Sequence, residues 1–130
     1  MPDYAIVNLL ELDDSVGGRV AGMEGRFSRK HIGSRDLGIS HWRYEPGTRN
    51  PGGHSHREQE EAYVVVSGSG RIRLDDELHD IRQWDVIRVA PEVVRAFEAG
   101  SDGLELIAVG GPKPEEGDGV RSDAPWPDES

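Results

Sequence analysis

Residues 53–68 read GHSHREQEEAYVVVSG, a stretch in which two histidines, a glutamate and a glycine follow the spacing H-x-H-x4-E-x6-G. His54 and His56 are two residues apart, so on a β-strand both imidazoles project from the same face. Glu61 begins the next apolar run, where a hairpin partner could bring its carboxylate opposite them. Two imidazoles and one carboxylate suit a divalent transition metal such as Zn, Fe, Mn or Ni. The stretch therefore predicts a metal site at His54, His56 and Glu61, and it indicates no particular substrate.

Glu60 competes with Glu61 for the role of carboxylate ligand. Glu61 keeps the six-residue gap to Gly68, whereas Glu60 keeps the shorter gap from His56. Neighbouring residues of a strand face opposite sides, so only one of the two carboxylates can point inward. We choose Glu61.

The H-x-H stretch resembles the first signature of the cupin family, which is a glycine, H-x-H, a glutamate and a second glycine. His54, His56, Glu61 and Gly68 fit this signature, while Gly47 lies one residue further upstream than the usual spacing. The resemblance implies metal-dependent catalysis or small-molecule binding, and it implies that the three ligands predicted above are the metal ligands of the family.

Residues 84–97, WDVIRVAPEVVRAF, resemble the second cupin signature, with Pro91 and Phe97 in the expected order. Two residues depart from it. Trp84 stands where the family has a glycine, and Arg95 stands where the fourth metal-binding histidine is expected. Together the two signatures span roughly residues 37–110. The resemblance implies an all-β, single-domain protein with a cupin-type jelly-roll β-barrel (a double-stranded β-helix), often assembled as a homodimer through sheet edges and the N-terminal segment.

Arg95 decides what kind of site this is. A guanidinium stays protonated and offers no lone pair, so it does not ligate a metal. Arg95 could turn outward and leave a three-ligand metal of the kind found in iron oxygenases. Its charge could instead replace the cation or the fourth ligand, so that the pocket binds an anionic small molecule. Arg95 could also be a surface residue, if the second signature is misaligned by one residue.

Three further residues are candidates for contacts with a substrate, besides Arg95. His41 lies in the strand before the H-x-H stretch and could be the missing fourth ligand or a general base. We favour the simpler role of a hydrogen-bonded lining residue. Tyr63 lies two residues beyond Glu61 on the same face, and Tyr63 and Phe97 are predicted to form pocket walls.

The composition limits the classes of partner. The chain has 130 residues and a formal net charge of -10, with a pI near 4.9, which argues against nucleic acid or an anionic membrane as a partner. No apolar run approaches the ~20 residues of a membrane helix. The absence of cysteine excludes disulfides, thiolate ligands and a cysteine nucleophile. No basic region precedes an apolar run at the N-terminus, so we expect a cytoplasmic protein.

Short apolar segments separated by turn residues predict the strands. We expect strands at residues 37–44, 61–66, 71–74, 85–89 and 104–109, with turns at 67–70, 75–77 and 101–103. Residues 1–12 carry enough aliphatic residues for a strand that supplements a sheet edge. Residues 13–36 are polar and glycine-rich, and we assign them no structure.

The chain divides into a barrel with its N-terminal segment, residues 1–111, and an acidic, proline-rich C-terminal tail, residues 112–130. The composition of the tail is typical of disorder. Trp126 argues the opposite, because its apolar surface is costly to leave in water and favours docking onto the barrel. Both alternatives stay open at this stage.

Three readings of the function remain open from the sequence, and whether the protein is an enzyme stays undecided. The first is a metal-dependent dioxygenase, isomerase or decarboxylase. The second is a non-catalytic domain that binds a small molecule such as a sugar or a carboxylate, with Arg95 as its anchor. A barrel with a vestigial site that serves association is a third reading, because one fold supports unrelated activities.

Overall fold

The computed structural model describes residues 3–129 as a nearly all-β barrel, which confirms the jelly-roll prediction. Within these residues one short helix, α1, spans Arg29–Ile32, and a 3-10 turn spans Leu9–Glu11. No helix of this part of the chain is long and apolar enough to cross a membrane. The eight strands are β1 Met23–Phe27, β2 Gly38–Tyr44, β3 Gly53–His56, β4 Glu61–Leu74, β5 Glu77–Arg82, β6 Val86–Val89, β7 Arg95–Gly110 and β8 Gly119–Ser122.

Two long antiparallel strands, β4 and β7, form the framework of the barrel. They pair from Glu61 opposite Gly110 to Leu74 opposite Arg95. On one side the sheet runs in the order β1-β2-β7-β3-β8, and on the other β4 pairs with β5 and β6. Because β4 and β7 pair with each other and also with the strands on both sides, all eight strands form one continuous sheet, which curls around a common inner face.

The inner face is filled by aliphatic and aromatic side chains that alternate with outward polar residues. Val65 and Leu106 have no exposed surface, and Ile72 and Phe97 are almost as deeply buried. In a strand each second residue faces the same side, so this alternation places one set of apolar side chains in a common core. Burial of that apolar surface is the main stabilising contribution, about 25 cal/mol per Å².

Two turns predicted from glycine are wrong, because the strands continue through them. Residues 67–70 lie inside β4, and residues 101–103 lie inside β7. The register between the two strands shifts here, as in a β-bulge. Gly68 and Gly103 both have φ of +78°, and a Cβ on Gly68 would collide with the carbonyl oxygen of Gly103. These glycines therefore bend two continuous strands where the backbones approach closely.

The N-terminal region also differs from the prediction. Residues 3–12 contain no strand, and their only regular element is the turn at Leu9–Glu11, while residues 1 and 2 lie outside the described part. The edge strand is instead β1, which falls in the region that the sequence left unassigned. It pairs with β2 from Met23 opposite Tyr44 to Phe27 opposite Ser40.

Residues 112–129, the C-terminal strap, are docked on the barrel, so the disordered alternative for the tail is wrong. Strand β8 pairs with β3 and brings Gly119 opposite His56. Trp126 is 1% exposed, and its indole Nε1 donates to the carbonyl oxygen of Asn50 at 2.7 Å. The guanidinium of Arg49 lies 4.3 Å from the centre of the Trp126 ring, within reach of a cation–π contact.

Candidate metal centre and its cavity

His54, His56 and Glu61 converge at one end of the barrel. The two histidines lie on the same face of β3, and Glu61 is the first residue of β4. Their ligand atoms lie within 4.8 Å of one another. Glu61 Oε1 is 3.6 Å from His54 Nε2 and 3.2 Å from His56 Nε2. The structure thus brings together the three residues that the H-x-H stretch predicted as ligands.

The strand register separates the two candidate carboxylates. The side chain of Glu61 is 14% exposed and points toward the histidines. The side chain of Glu60 is 62% exposed and forms an ion pair with Arg88 at 3.3 Å. The placement agrees with the choice of Glu61 over Glu60.

A carboxylate that the sequence reasoning missed, Asp118, fixes the orientation of His56. Asp118 Oδ1 lies 2.9 Å from His56 Nδ1, and its Oδ2 accepts hydrogen bonds from the backbone N–H groups of Glu58 and Gln59, both at 2.8 Å. Burial alone would raise the pKa of Asp118, but the Glu58 amide, His56 and the Gln59 amide lower it to about 2. Asp118 is therefore an ionised acceptor that holds both the imidazole and the loop between β3 and β4.

This contact determines which nitrogen of His56 is free. With Nδ1–H donated to Asp118, a neutral imidazole carries its lone pair on Nε2. Nε2 is buried and has no well-aligned hydrogen-bond partner among the described residues, although Glu61 Oε1 is near. A buried polar atom without a partner is costly unless something else binds it. A histidine whose second nitrogen is held by a carboxylate is the arrangement of metal-ligating histidines in general.

Tyr63 holds Glu61 in place. Its hydroxyl donates to Glu61 Oε1 at 2.6 Å. Burial tends to raise the pKa of Glu61, but the neighbouring imidazoles of His54 and His56 and the Tyr63 hydroxyl keep it well below the usual range. Glu61 is thus an anion at neutral pH, which is the form that ligates a metal. The pKa of His56 is raised, first by Glu61 and also by Asp118.

The three residues face a cavity of about 650 Å³, within the usual size range for small-molecule sites. Tyr63 and Phe97 form part of its wall, with ring centres 4.9 Å apart in an edge-on arrangement. Both predicted wall residues are thus placed at the cavity. The other lining side chains are mixed apolar and polar: Ser15, Phe27, Ser28, Arg29, Lys30, His31, Ile39, Ser40, Trp42, Tyr44, Asn50, Gln59, Leu106, Ala108 and Lys113.

Arg95 is fully buried, at 0% exposure, so the alternative of a surface residue is wrong. It lies directly opposite His54 in the pairing of β3 with β7. Its Nη2 donates to the carbonyl oxygen of Ala90 at 3.1 Å, and its Nε and Nη1 have no hydrogen-bond partner within residues 3–129. It does not line the cavity, so the structure does not bring it into contact with a cavity ligand. The pKa of His56 is raised mainly by Glu61, and the positive charge of Arg95 offsets a small part of that rise.

His41 is not brought to the cavity. Its neighbours Ser40 and Trp42 line the cavity, whereas His41 is not among the lining residues. Its Nε2 lies 3.2 Å from Glu105 Oε2. This buried contact agrees with a hydrogen-bonded histidine, but one that lies away from the predicted substrate site.

The residues missed by the sequence reasoning had weak signals. Asp118 lies between two glycines in an acidic tail, and no spacing connects it to the H-x-H stretch. Lys30 and Lys113 also line the cavity. The sequence signal for them is that they are the two lysines of the chain.

Comparison with known proteins supports the same fold. The family model described as the cupin domain matches residues 40–110. No curated protein sequence matches the chain.

Solved structures of similar fold include a cupin protein from Bacteroides fragilis, with a TM-score of 0.71 and 22% identity, covering 88% of this chain and 89% of that one. KdgF from Halomonas sp. has a TM-score of 0.68 and 16% identity over 86% of this chain and 96% of that one. Oxalate decarboxylase from Bacillus subtilis has a TM-score of 0.74 and 18% identity over 88% of this chain. The chain spans only 31% of that enzyme. At these identities the likeness concerns the fold alone.

Proposed function

Because this chain belongs to the cupin domain family, we propose that His54, His56 and Glu61 bind a divalent transition metal beside a cavity that accepts a small molecule. The observation that carries the proposal is the state of His56. Its Nδ1 is held by Asp118, and its buried Nε2 has no aligned partner among the described residues. Zn, Fe, Mn and Ni all accept two imidazoles and a carboxylate.

An ion held by His54, His56 and Glu61 would supply Lewis acidity toward an oxygen of the small molecule or, for Fe and Mn, redox chemistry. The chain's own residues prepare the site. Tyr63 fixes the Glu61 carboxylate by its hydrogen bond, and Asp118 fixes the tautomer of His56. The apolar walls at Phe97 and Leu106 reduce the access of water and strengthen electrostatic interactions inside.

The proposed reaction class is metal-dependent dioxygenase, isomerase or decarboxylase chemistry on the cavity ligand. The second candidate is a non-catalytic domain that binds a sugar or a carboxylate. Arg95 favours it, because a fully buried cation opposite His54 repels a dication and lies where the family has a fourth ligand. The two candidates differ in their requirement for metal.

The test is metal analysis of untagged protein, followed by calorimetric titration of the metal-free form with Zn, Mn, Fe and Ni. We expect one ion per chain. His56→Ala removes a ligand and should abolish tight binding. Asp118→Asn keeps the ligand but weakens its orientation, and we expect a loss of affinity of about 10–100-fold.

His79→Ala is the matched control, because His79 is exposed and contacts only Glu77 among the described carboxylates, at 3.1 Å. It should leave the affinity for metal unchanged. If the metal-free protein binds no ion, or if His56→Ala binds as tightly as the unchanged chain, the metal proposal is wrong and the non-catalytic candidate takes its place.

A further inference from the structure

The lysines of this protein are concentrated at one place. The chain contains thirteen arginines and only two lysines, and both lysines, Lys30 and Lys113, line the cavity beside the candidate metal centre. They come from different segments, since Lys30 lies in α1 and Lys113 follows β7. The fold therefore brings two residues that are 83 positions apart to one cavity.

The local charge is opposite to that of the molecule as a whole. The net charge is -10, yet the only acidic side chain that lines the cavity within residues 3–129 is Glu61, at the metal end. A cleft lined by one sign of charge concentrates ligands of the other sign. The part of the cavity that Lys30 and Lys113 line thus attracts anions despite the acidic protein.

Among the described residues, the side chains of the two lysines form no ion pairs that hold the fold together. Neither forms an ion pair with a carboxylate of the described chain. Arg29, the third cation at the cavity, differs, because it donates to the carbonyl oxygens of Arg35 at 2.9 Å and of Gly111 at 3.2 Å. Arg29 thereby ties α1 to the end of β7, whereas the ammonium groups of Lys30 and Lys113 are free to meet a ligand.

Apolar surface lies in the same cavity. Phe27 and Trp42 pack edge to face with ring centres 5.2 Å apart, and Phe27 is partly exposed. Ile39 adds an aliphatic side chain. A ligand that contacts both the candidate metal residues and the lysines would therefore also meet apolar side chains.

We propose that the ligand of this cavity is a small organic acid with two anionic groups, one bound at the His54–His56–Glu61 end and the other, a carboxylate or a phosphate, bound by Lys30 and Lys113. This inference rests on the proposed function, because the first anionic group binds through the metal. An ammonium is a compact charge on a flexible stem, so it accepts either carboxylate or phosphate without a fixed geometry.

The test is calorimetric titration of the metal-loaded protein with glutarate and with its singly charged counterpart, pentanoate. A parallel pair, 3-phosphoglycerate and glycerate, distinguishes a phosphate from a carboxylate at the lysine end. We expect the member with two anionic groups in at least one pair to bind at least about tenfold more tightly, with an affinity that falls as salt is added.

Lys30→Gln and Lys113→Gln should each weaken the binding of that dianion by about tenfold and change the binding of the matched singly charged acid by less than about threefold. Lys→Arg at either position should restore most of the affinity. Arg82→Gln is the control, because Arg82 is exposed in β5 and does not line this cavity.

Titration of the same variants with metal alone separates the two proposals. Unchanged metal affinity together with weakened dianion binding supports the inference. If metal binds but the lysine variants bind the dianions as the unchanged chain does, or if neither dianion is preferred, the inference is wrong and the proposed metal site stands. If no metal binds at all, the proposed function itself fails.

Discussion

At the scale of single residues, the candidate metal site depends on which atoms of the metal-binding side chains already form hydrogen bonds. Asp118 occupies Nδ1 of His56, and Tyr63 occupies one oxygen of Glu61. Each contact restricts a side-chain rotation that His56 or Glu61 would otherwise lose when it binds metal. Because that ordering is complete before the ion arrives, less conformational entropy is lost at the binding step.

Arg95 is the residue whose replacement should strengthen metal binding. Its buried charge lies opposite His54, so it opposes a dication, and it supplies no lone pair. We expect Arg95→His to raise the affinity for Zn, Mn or Ni by at least about tenfold, about 1.4 kcal/mol. Calorimetric titration of the metal-free protein measures this change.

Arg95→Met separates charge from ligation. It removes the repulsion but adds no ligand, so its affinity for metal should lie between those of the unchanged chain and Arg95→His. Equal affinities for all three proteins would mean that Arg95 acts on neither the charge nor the coordination of the site. Circular dichroism of each variant checks that the barrel is retained without the bond to Ala90.

At the scale of elements, the strands bend where glycine or a left-handed residue allows it. Gly68 and Gly103 let β4 and β7 run through the bulges as continuous strands. The turn between β5 and β6 uses Trp84 for the same purpose. Trp84 has φ of +73°, and its backbone N–H donates to the carbonyl oxygen of Val65 at 2.7 Å. The cupin-like signature has a glycine at this position, and the left-handed φ of Trp84 explains why glycine suits it.

Trp84→Gly should therefore stabilise the protein. A left-handed conformation costs an ordinary residue roughly 1–2 kcal/mol, and the extra freedom of glycine in the unfolded chain offsets about 0.4–1 kcal/mol of that. Trp84 is 68% exposed, so little packing is lost. We expect the free energy of unfolding to rise by about 0.5–1 kcal/mol in urea titrations. Trp84→Ala keeps the Cβ and should show no gain, and a glycine variant no more stable than the alanine variant would contradict the strain argument.

At the scale of the whole molecule, the C-terminal strap connects the stability of the barrel to the candidate site. The strap carries Asp118 at one end and Trp126 and Asp128 at the other. Asp128 forms ion pairs with Arg49 at 2.9 Å and with Arg71 at 3.0 Å. Loosening of the strap would therefore also release the acceptor of His56.

The Asp128 contacts predict a pH dependence of stability. Arg49, followed by Arg71, lowers the pKa of Asp128 from 3.8 to about 2. A carboxyl group whose pKa is lower in the folded state stabilises the fold above its unfolded pKa and loses that contribution as the pH falls toward the folded value. The contribution should thus be complete at pH 6 and should decline between about pH 4 and pH 2.

Urea denaturation of the unchanged chain and of Asp128→Asn over this pH range measures the effect. The variant should have the lower midpoint at pH 6, and the two midpoints should converge as the pH approaches 2. Asp123→Asn is the control, since the side chain of Asp123 is 86% exposed in the same strap. A constant difference between Asp128→Asn and the unchanged chain at every pH would show that ionisation of Asp128 is not involved.

The sequence by itself determined the fold class and the three candidate ligands, because both follow from local spacing. The period of two on a strand places His54 and His56 on one face, and it also excludes Glu60 once Glu61 points inward. The resemblance to the cupin signatures fixed the barrel for the same reason, since its residues lie within a short stretch of chain.

Tertiary structure alone decided the continuity of β4 and β7, the docking of the strap, and the positions of Asp118, Arg95 and the two lysines. Asp118 lies 62 positions after His56, and no local pattern carries a contact over that distance. A glycine permits a turn or a bulge equally well, and only the approach of a second strand selects the bulge. Contacts between residues far apart in the sequence depend on how the strands pair, and only the folded structure determines that pairing.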